Sequence, residues 1–300
     1  MRTSLFRAAI LLVILGNAEG ETLKLATYNV ENYGIFDRMT ESGFRSAYPK
    51  PEAEKRALRV VIRALDADVL ALQEIGSRSA LDELRRDLSA DGLDYPHSAF
   101  LEAADPERHV ALLSKRPFRA VRPHADIAFA FRGETVRVKR GLLEVVLGAS
   151  SGDITVFALH LKSKLTERDD DPEGVLRREA EASAVRGCIR RRFPDPASGR
   201  YVILGDCNDG AHSAALRRLE RSGDTVFLLE VPAADSRGET WTEAYGRGDS
   251  YSQLDHILVS PALARTVRGS AARICDVPET MAASDHRPVC AVLELGPAIP

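Results

Sequence analysis

Tyr201-Val-Ile-Leu-Gly-Asp-Cys-Asn-Asp-Gly210 is an apolar run that stops at Gly205 and then releases polar side chains in quick succession. A short apolar run closed by glycine reads as a strand buried on both faces, its C-terminal end opening onto a site. Asp206 and Asn208 stand two residues apart, so extended backbone turns both side chains the same way. A carboxylate beside a carboxamide can hold a water, a hydroxyl or a metal-bound phosphate without concentrating two negative charges. The other reading is an Asx turn capping a helix that begins near His212. The number of similar strand ends elsewhere in the chain decides between the two.

Upstream, Thr22–Val30 alternates loosely and exits through Asn29, Glu31 and Asn32. Tyr33–Pro51 reads as a loop in which Tyr33, Phe36, Phe44 and Tyr48 mix with Arg38, Arg45 and Lys50. It either folds over its own aromatics or grips a phosphorylated substrate. Ala57, Val60, Val61, Ala64 and Leu65 recur at helical spacing and predict a helix over Glu52–Leu65. A second buried strand then starts at Val69 and delivers Glu74 at its end. A further helix is expected over Ala80–Leu88, with strands at Tyr95–Phe100 and His109–Ser114. Ile127–Phe131 reads as a buried strand, or else as an apolar loop that touches a membrane. Thr135–Leu147 and Asp153–Leu161 are β-branched runs, the second ending on His160.

Pro172 opens a long helix to about Arg192, with Arg186 and Arg190–Arg192 expected on an exposed end. After the opening motif come a short helix, Ser213–Leu219, and a strand, Leu254–Ser260, with Asp255 at its start. Ser284-Asp285-His286-Arg287-Pro288 leads into the last strand, Val289–Leu295.

The 300 residues are 44% hydrophobic and 28% charged, with a net charge of −3. That balance is ordinary for a globular protein and supplies no global basic field, so any surface for a polyanion must be local. Arg2 and Arg7 precede an apolar run, Ala8–Leu15, and the small-residue pair Ala18-x-Gly20. This order predicts a secretory signal over residues 1–20, cleaved after Gly20, and an exported protein, periplasmic or secreted. The apolar run is far shorter than the ~20 residues a membrane span needs, so no stable membrane insertion is expected. Residues 21–300 show no repeat, linker or composition break and read as a single domain. Cys188, Cys207, Cys275 and Cys290 allow three full pairings that the sequence does not choose between, and no C-x-x-C spacing suggests zinc. Alternation turns Cys207 away from Asp206, toward the core.

Several strands and one loop thus share a design, an apolar run with a polar group at one end. Taken in order, Tyr28-Asn29-Val30-Glu31-Asn32, Leu72-Gln73-Glu74, His160-Leu161-Lys162-Ser163, Gly205-Asp206-Cys207-Asn208-Asp209, Leu254-Asp255-His256-Ile257-Leu258 and Ser284-Asp285-His286-Arg287-Pro288 resemble the endonuclease/exonuclease/phosphatase superfamily. That group includes pancreatic-type DNases, apurinic endonucleases, inositol phosphatases and bacterial sphingomyelinases. The match runs from Asn29 to Pro288.

The resemblance implies an α/β (α+β) DNase-like fold, a four-layer sandwich of two packed mixed β-sheets flanked by helices, with a site at one edge of the sheets. It implies Glu74 as the main Mg²⁺ ligand, with Asn29 and Asp285 near the metal. Asp206 would orient or deprotonate the attacking water, Asn208 hold a phosphate oxygen, and Asp255 keep the hydrogen bonds in register. His286 would face the scissile phosphate. His160 matches a second histidine that, in DNase-like members, pairs with a glutamate just before a strand; Glu107 occupies that place here. Cys207 replaces the usual aromatic of the Gly-Asp-x-Asn motif, and the Trp-Cys-Asp-Arg pattern of inositol phosphatases is missing around Asp255.

The chemistry of phosphodiester hydrolysis asks for the same residue types. A cation on hard oxygen ligands, Mg²⁺ with Mn²⁺ or Ca²⁺ as alternatives, neutralises the phosphoryl oxygens. A carboxylate activates water, and histidines donate to the phosphate or leaving oxygen. The expectation is an exported Mg²⁺-dependent phosphodiester hydrolase, a nuclease acting by in-line attack of an Asp206-activated water. The alternatives are a lipid or sugar-phosphate phosphoesterase of sphingomyelinase type and a binding module on an inactive scaffold. The last predicts missing carboxylates, and none is missing. A nucleic-acid substrate is expected, with a phospholipid or phosphorylated small molecule as the alternative, and no partner protein is inferable.

Overall fold

The computed structural model describes residues 20–296 apart from Glu41, Glu167 and Arg247. The N-terminal signal segment lies outside the described residues up to residue 19. The chain begins with β1 (Glu21–Tyr33), β2 (Ile35–Thr40), β3 (Gly43–Pro49), α1 (Glu52–Leu65), β4 (Val69–Ile75) and α2 (Arg78–Ala90). There follow β5 (His97–Leu101), β6 (His109–Ser114), β7 (Phe118–His124), β8 (Ala128–Phe131), β9 (Glu134–Arg137), β10 (Leu142–Leu147) and β11 (Ile154–His160). Next are α3 (Val175–Arg192), β12 (Tyr201–Asp206), α4 (Ala214–Glu220), β13 (Arg221–Ser222), β14 (Thr225–Val226), β15 (Leu229–Glu230) and β16 (Ala233–Ala234). The last third holds β17 (Glu243–Tyr245), β18 (Ser250–Ser252), β19 (Asp255–Val259), α5 (Pro261–Ala264), β20 (Ala272–Ile274), α6 (Thr280–Ala283) and β21 (Val289–Leu295).

Two mixed sheets carry the architecture, one ordered β16-β20-β21-β1-β4-β6-β5 and the other β15-β19-β12-β11-β10-β7. Period-2 alternation assigns each strand an inner and an outer face. The inner faces meet in a core of Leu23, Leu25, Val69 and Ala71 from the first sheet and Val156, Ala158, Val202, Leu204, Ile257 and Val259 from the second. The outer face of the first sheet packs under α1 and α2 through residues such as Tyr28, Leu58, Ile62, Leu70 and Leu84. The outer face of the second packs under α3 and α4 through Phe157, Val185, Ile189, Ile203 and Leu216. The result is the four-layer sandwich, helices, sheet, sheet, helices.

β12 and β11 run parallel with His160 opposite Asp206. β19 runs antiparallel beside β12 with Asp206 opposite Asp255. Glycine at 205 is required here: a Cβ would sit 2.3 Å from the Leu159 carbonyl oxygen.

The structure departs from expectation in four places, each with a local cause. Tyr33–Pro51 is the β2–β3 hairpin, not a loop. α1 keeps its predicted bounds but buries Ala57, Leu58, Val61, Ile62 and Leu65, leaving Val60 outside, because the stripe is rotated by one position. The Thr135–Leu147 run breaks at Gly141, whose backbone is left-handed, so β9 pairs only with β8 while β10 joins the second sheet. Ile127–Phe131 is not a core strand: β8 alternates between exposed and half-buried residues, and the guanidinium of Arg177 lies 4.8 Å from the Phe129 ring. All four cysteines are unpaired, and Cys207 is fully buried under α3 and α4.

Candidate active site

The intersheet core ends in polar residues because the inner-face alternation continues past the last apolar positions. On β1 the series Leu23, Leu25 is continued by Thr27 and Asn29, and on β4 Val69, Ala71 is continued by Gln73. Thr27 and Gln73 satisfy each other, the Gln73 amide donating to the Thr27 hydroxyl at 3.1 Å. On the second sheet the same continuation produces His160 after Ala158, Asp206 after Leu204 and, before Ile257, Asp255. Both sheets therefore deliver polar side chains to one end of one core. The loop before β21 adds His286, and Ser284 anchors that loop by donating its hydroxyl to the Asn29 carbonyl at 2.8 Å.

These groups form a buried network. Asn29 Nδ2 donates to Asp206 Oδ2 at 3.0 Å, and the Asn208 backbone N–H donates to Asp206 Oδ1 at 2.7 Å. His286 Nδ1 donates to Asp255 Oδ2 at 2.7 Å, which orients the ring and leaves Nε2 facing Asp206 at 4.0 Å. Thr242 Oγ1 accepts from the backbone N–H groups of Leu254 and Asp255, holding that strand start. His160 Nε2 lies 3.4 Å from Asp206 Oδ2, and its Nδ1 is buried without a partner. Asn208 Nδ2 donates to the Leu161 carbonyl at 3.1 Å.

Burial first, and the charge of Asp255 second, push the Asp206 carboxyl up to about 7. Burial opposes the charged form of His286, but Asp255, Asp206 and Asp285 outweigh it and hold the imidazole well above its ordinary range. Burial drives His160 the other way, and Arg140 and His286 add to it, so its imidazole stays well below the usual range. One histidine is thus charged and the other neutral around a carboxyl poised near neutrality.

The cluster opens into a cavity of about 720 Å³. One wall is acidic, with Glu31, Glu74, Asp285 and Glu243. Glu74 sits at the exit of β4 with left-handed backbone (φ 65°), and its Oε2 accepts from the Asn32 N–H at 3.0 Å. Glu31, Asn32 and Asn208 share that conformation, a strained one for residues with a side chain, and all line the same cavity. Burial raises Glu31, with Asp285 the next cause, and raises Asp285, where Glu74 and Glu243 add to it against the pull of His286. Lys50, itself buried, lies 3.6 Å from Glu31, and Arg108 reaches Glu74 at 4.0 Å. Beyond Arg108 the lining turns basic, with Lys139, Arg140, Lys162 and Lys164.

Of the residues singled out in the sequence, Asn29, Glu74, Asp206, Asn208, Asp285 and His286 line this cavity, with His160 and Asp255 directly behind. Glu107 does not join them. The Asp105 carboxylate accepts from the Glu107 and Arg108 N–H groups, and this turn points Glu107 outward, where it pairs with Arg108 at 3.0 Å. The expected Glu107–His160 pair is therefore not formed. Asp105 goes inward instead, bonded to Arg140 at 2.8 Å, because an acid buried there needs a cation. Sequence reasoning named Glu31 as a polar strand exit and Lys50 within a substrate-gripping stretch, but did not pair them, and it missed the basic wall. Arg140 carried no signal, lying in a run read as continuous strand.

The cluster thus places a carboxyl between two histidines beneath an acidic wall. The chain belongs to the Endonuclease/Exonuclease/phosphatase family, whose sequence profile matches residues 26–286. Among solved structures it is similar to sphingomyelinase C from Streptomyces griseocarneus, at 22% identity over 91% of this chain and 99% of that one, with a TM-score of 0.63. It is also similar to a beta toxin variant from Staphylococcus aureus with bound magnesium ions, at 16% identity over 90% and 99%, TM-score 0.62. The human Nocturnin catalytic domain with bound sulfate aligns at 15% identity over 90% and 93%, TM-score 0.58. No curated protein sequence matches the chain.

Proposed function

We propose that the protein is an exported, metal-dependent phosphodiester hydrolase that acts on nucleic acid. The observation that carries this reading is the meeting of Asn29, His160, Asp206, Asp255 and His286 at one end of the intersheet core, between an acidic and a basic wall. Asp206, pushed up to about 7, is poised to take a proton from water near neutral pH. His286, held charged by Asp255, donates from Nε2 to a phosphoryl or leaving oxygen. His160, kept neutral by burial, lies 3.4 Å from Asp206 without adding charge to the pocket.

The acidic wall fits a hard divalent cation. Burial first, and neighbouring carboxylates after it, raise Glu31 and Asp285, and a bound cation offsets both. Glu74, Asn29 and Asp285 would hold it, and it would supply charge neutralisation at the phosphoryl oxygens. Asp206, Asp255 and His286 also offer atoms within 4.8 Å of one another, but Asp206 accepts from Asn29 and Asn208 and Asp255 Oδ2 accepts from His286, while Asp255 Oδ1 is buried without a partner. That set suits proton handling better than ligation.

The basic wall favours a polyanion. A second reading, a phospholipid, is favoured by Ile35, Met39 and Phe44, which are exposed on the β2–β3 hairpin beside the cavity, and by likeness to a sphingomyelinase. No helix among the described residues is long and apolar enough to cross a membrane. Purified protein beginning at Glu21 is assayed on plasmid DNA, RNA, sphingomyelin and bis(p-nitrophenyl) phosphate, with Mg²⁺ and with EDTA. EDTA-sensitive cleavage of nucleic acid, lost in Asp206→Asn, supports the nuclease reading; cleavage of sphingomyelin alone replaces it with the second.

A further inference from the structure

A second cavity, of about 540 Å³, adjoins the first and shares Lys139, Lys162 and Leu165 with it. Its far side is Phe131, a half-buried ring at the end of β8, with the guanidinium of Arg177 5.5 Å and that of Arg168 5.9 Å from its centroid. Lys139, Lys162, Arg168 and Arg177 face Glu134 and Asp171 there, with Lys139 paired to Asp105, Arg168 to Asp170 and Arg177 to Glu181. The Asp171 carboxylate is already spent on the N–H groups of Leu176 and Arg177. Lys162 forms no ion pair among the described residues, and its ammonium donates to the Ser163 and Leu165 carbonyls. Burial, with Arg140 and Lys139 close by, draws that ammonium down to about 8, a penalty that a neighbouring anion offsets.

The two lysines are held from below by one group. Glu181 of α3 is fully buried and accepts from the Lys139 N–H at 3.1 Å and from the Lys162 N–H at 2.9 Å. One carboxylate thus fixes two separate loops so that both lysines border both cavities. We propose that the second cavity is a subsite for the nucleotide next to the scissile phosphate, with Lys139 and Lys162 holding its phosphate and Phe131 carrying its base. This rests on the nuclease reading and narrows it: the substrate is a strand with at least one further nucleotide beyond the bond cut. A base stacks on an aromatic face or on a guanidinium plane, and both are present here, with the Arg132, Arg168 and Arg177 guanidinium groups 5.5 to 6.0 Å from the Phe131 centroid.

The test compares a single-stranded oligonucleotide with bis(p-nitrophenyl) phosphate, which fills only the first cavity. Phe131→Ala lowers the ratio of kcat/KM for the oligonucleotide to kcat/KM for the diester by about tenfold, the loss of one stacked base. Phe131→Leu keeps bulk while removing the π face and gives the same result where the alanine variant does not fold. Binding of a fluorescein-labelled oligonucleotide in EDTA is followed by anisotropy against salt. Lys162→Gln reduces the slope of log affinity against log salt by about 0.7, one phosphate contact on a single strand, and Lys162→Arg restores it. An unchanged ratio with an unchanged slope overturns the subsite while leaving the nuclease reading intact. Wild-type protein that cleaves sphingomyelin or the diester but no nucleic acid overturns both.

Discussion

Replacing Asp255 with asparagine keeps the shape of the side chain and removes its charge from a fully buried position, 2.7 Å from His286 Nδ1. A hydrogen bond to an ionised group is worth ~1.5–3 kcal/mol. At 1.36 kcal/mol per pKa unit, losing it lowers the His286 pKa by about one to two units. The sign follows from the folded state: His286 is raised above its unfolded value, so its stabilising charge is complete below about pH 6.5 and is lost as pH rises through the folded value. In Asp255→Asn that loss is complete at lower pH, because the folded value falls while the unfolded one stays. Turnover needs the imidazolium as donor, so the alkaline limb of kcat against pH moves down by the same one to two units. If the same ~1.5–3 kcal/mol is felt in the transition state, kcat at pH 8 falls by about 10- to 150-fold. Asp206 responds too, because Asp255 is the second cause of its elevation, and the acid limb also moves down. The assay is kcat for bis(p-nitrophenyl) phosphate across pH, with the His286 C2–H proton followed by NMR in metal-free protein. Limbs that stay in place while kcat drops would show that Asp255 acts on backbone position and not on charge.

Other expectations follow from the same geometry. Asp206→Asn cuts kcat by about 10²-fold or more. It also melts higher than the wild type at pH 8 in EDTA, because an acid raised by burial weakens the fold wherever the unfolded chain ionises first; a lower Tm contradicts the burial argument. Glu74→Gln raises the Mg²⁺ concentration for half-maximal activity, and an identical metal titration removes Glu74 from the metal. Glu107→Ala, on the surface, changes kcat by less than about twofold and adds independently to His160→Ala in a double-mutant cycle, whereas strong coupling would restore the pair that the sequence implied. Cys188 and Glu144 hold His124 at about 9, so the wild type loses stability as pH rises through that value, and His124→Gln flattens the step in Tm.

The elements legible in the sequence are those with one dominant signal. β6 is an apolar run closed by Pro117, β21 one opened by Pro288, and α1 was read from apolar side chains at helical spacing. The β2–β3 hairpin was not legible, because its strands leave Ile35, Met39, Phe44 and Tyr48 exposed and show no buried face. Within the site, residues at strand ends were readable one by one, as polar endings on apolar runs. Partnerships across the fold were not. Glu107 and Asp105 lie two positions apart, and nothing local says which turns inward. That is decided by Arg140, which an αL glycine at Gly141 delivers from a distant turn.

The basic wall shows the same limit and is the local surface that the proposed polyanion would need on a chain with net charge −3. Its members come from three separate loops, so no run of sequence is basic enough to announce it. What gathers them is acid: Asp105 binds Arg140 and Lys139 by their side chains, and Glu181 binds Lys139 and Lys162 by their backbones. Both carboxylates are buried and so are costly unless these partners stay in place, which makes the wall's geometry rigid while leaving lysine ammonium groups turned to the cavity. Asp105→Asn therefore has a distinctive expected outcome. It leaves Arg140 buried without its carboxylate, at a cost of ~3–5 kcal/mol. With a Coulomb partner gone, Lys139 is freed to pull the salt dependence of oligonucleotide binding steeper even as Tm falls. A Tm loss with an unchanged salt slope would mean that Asp105 serves stability alone.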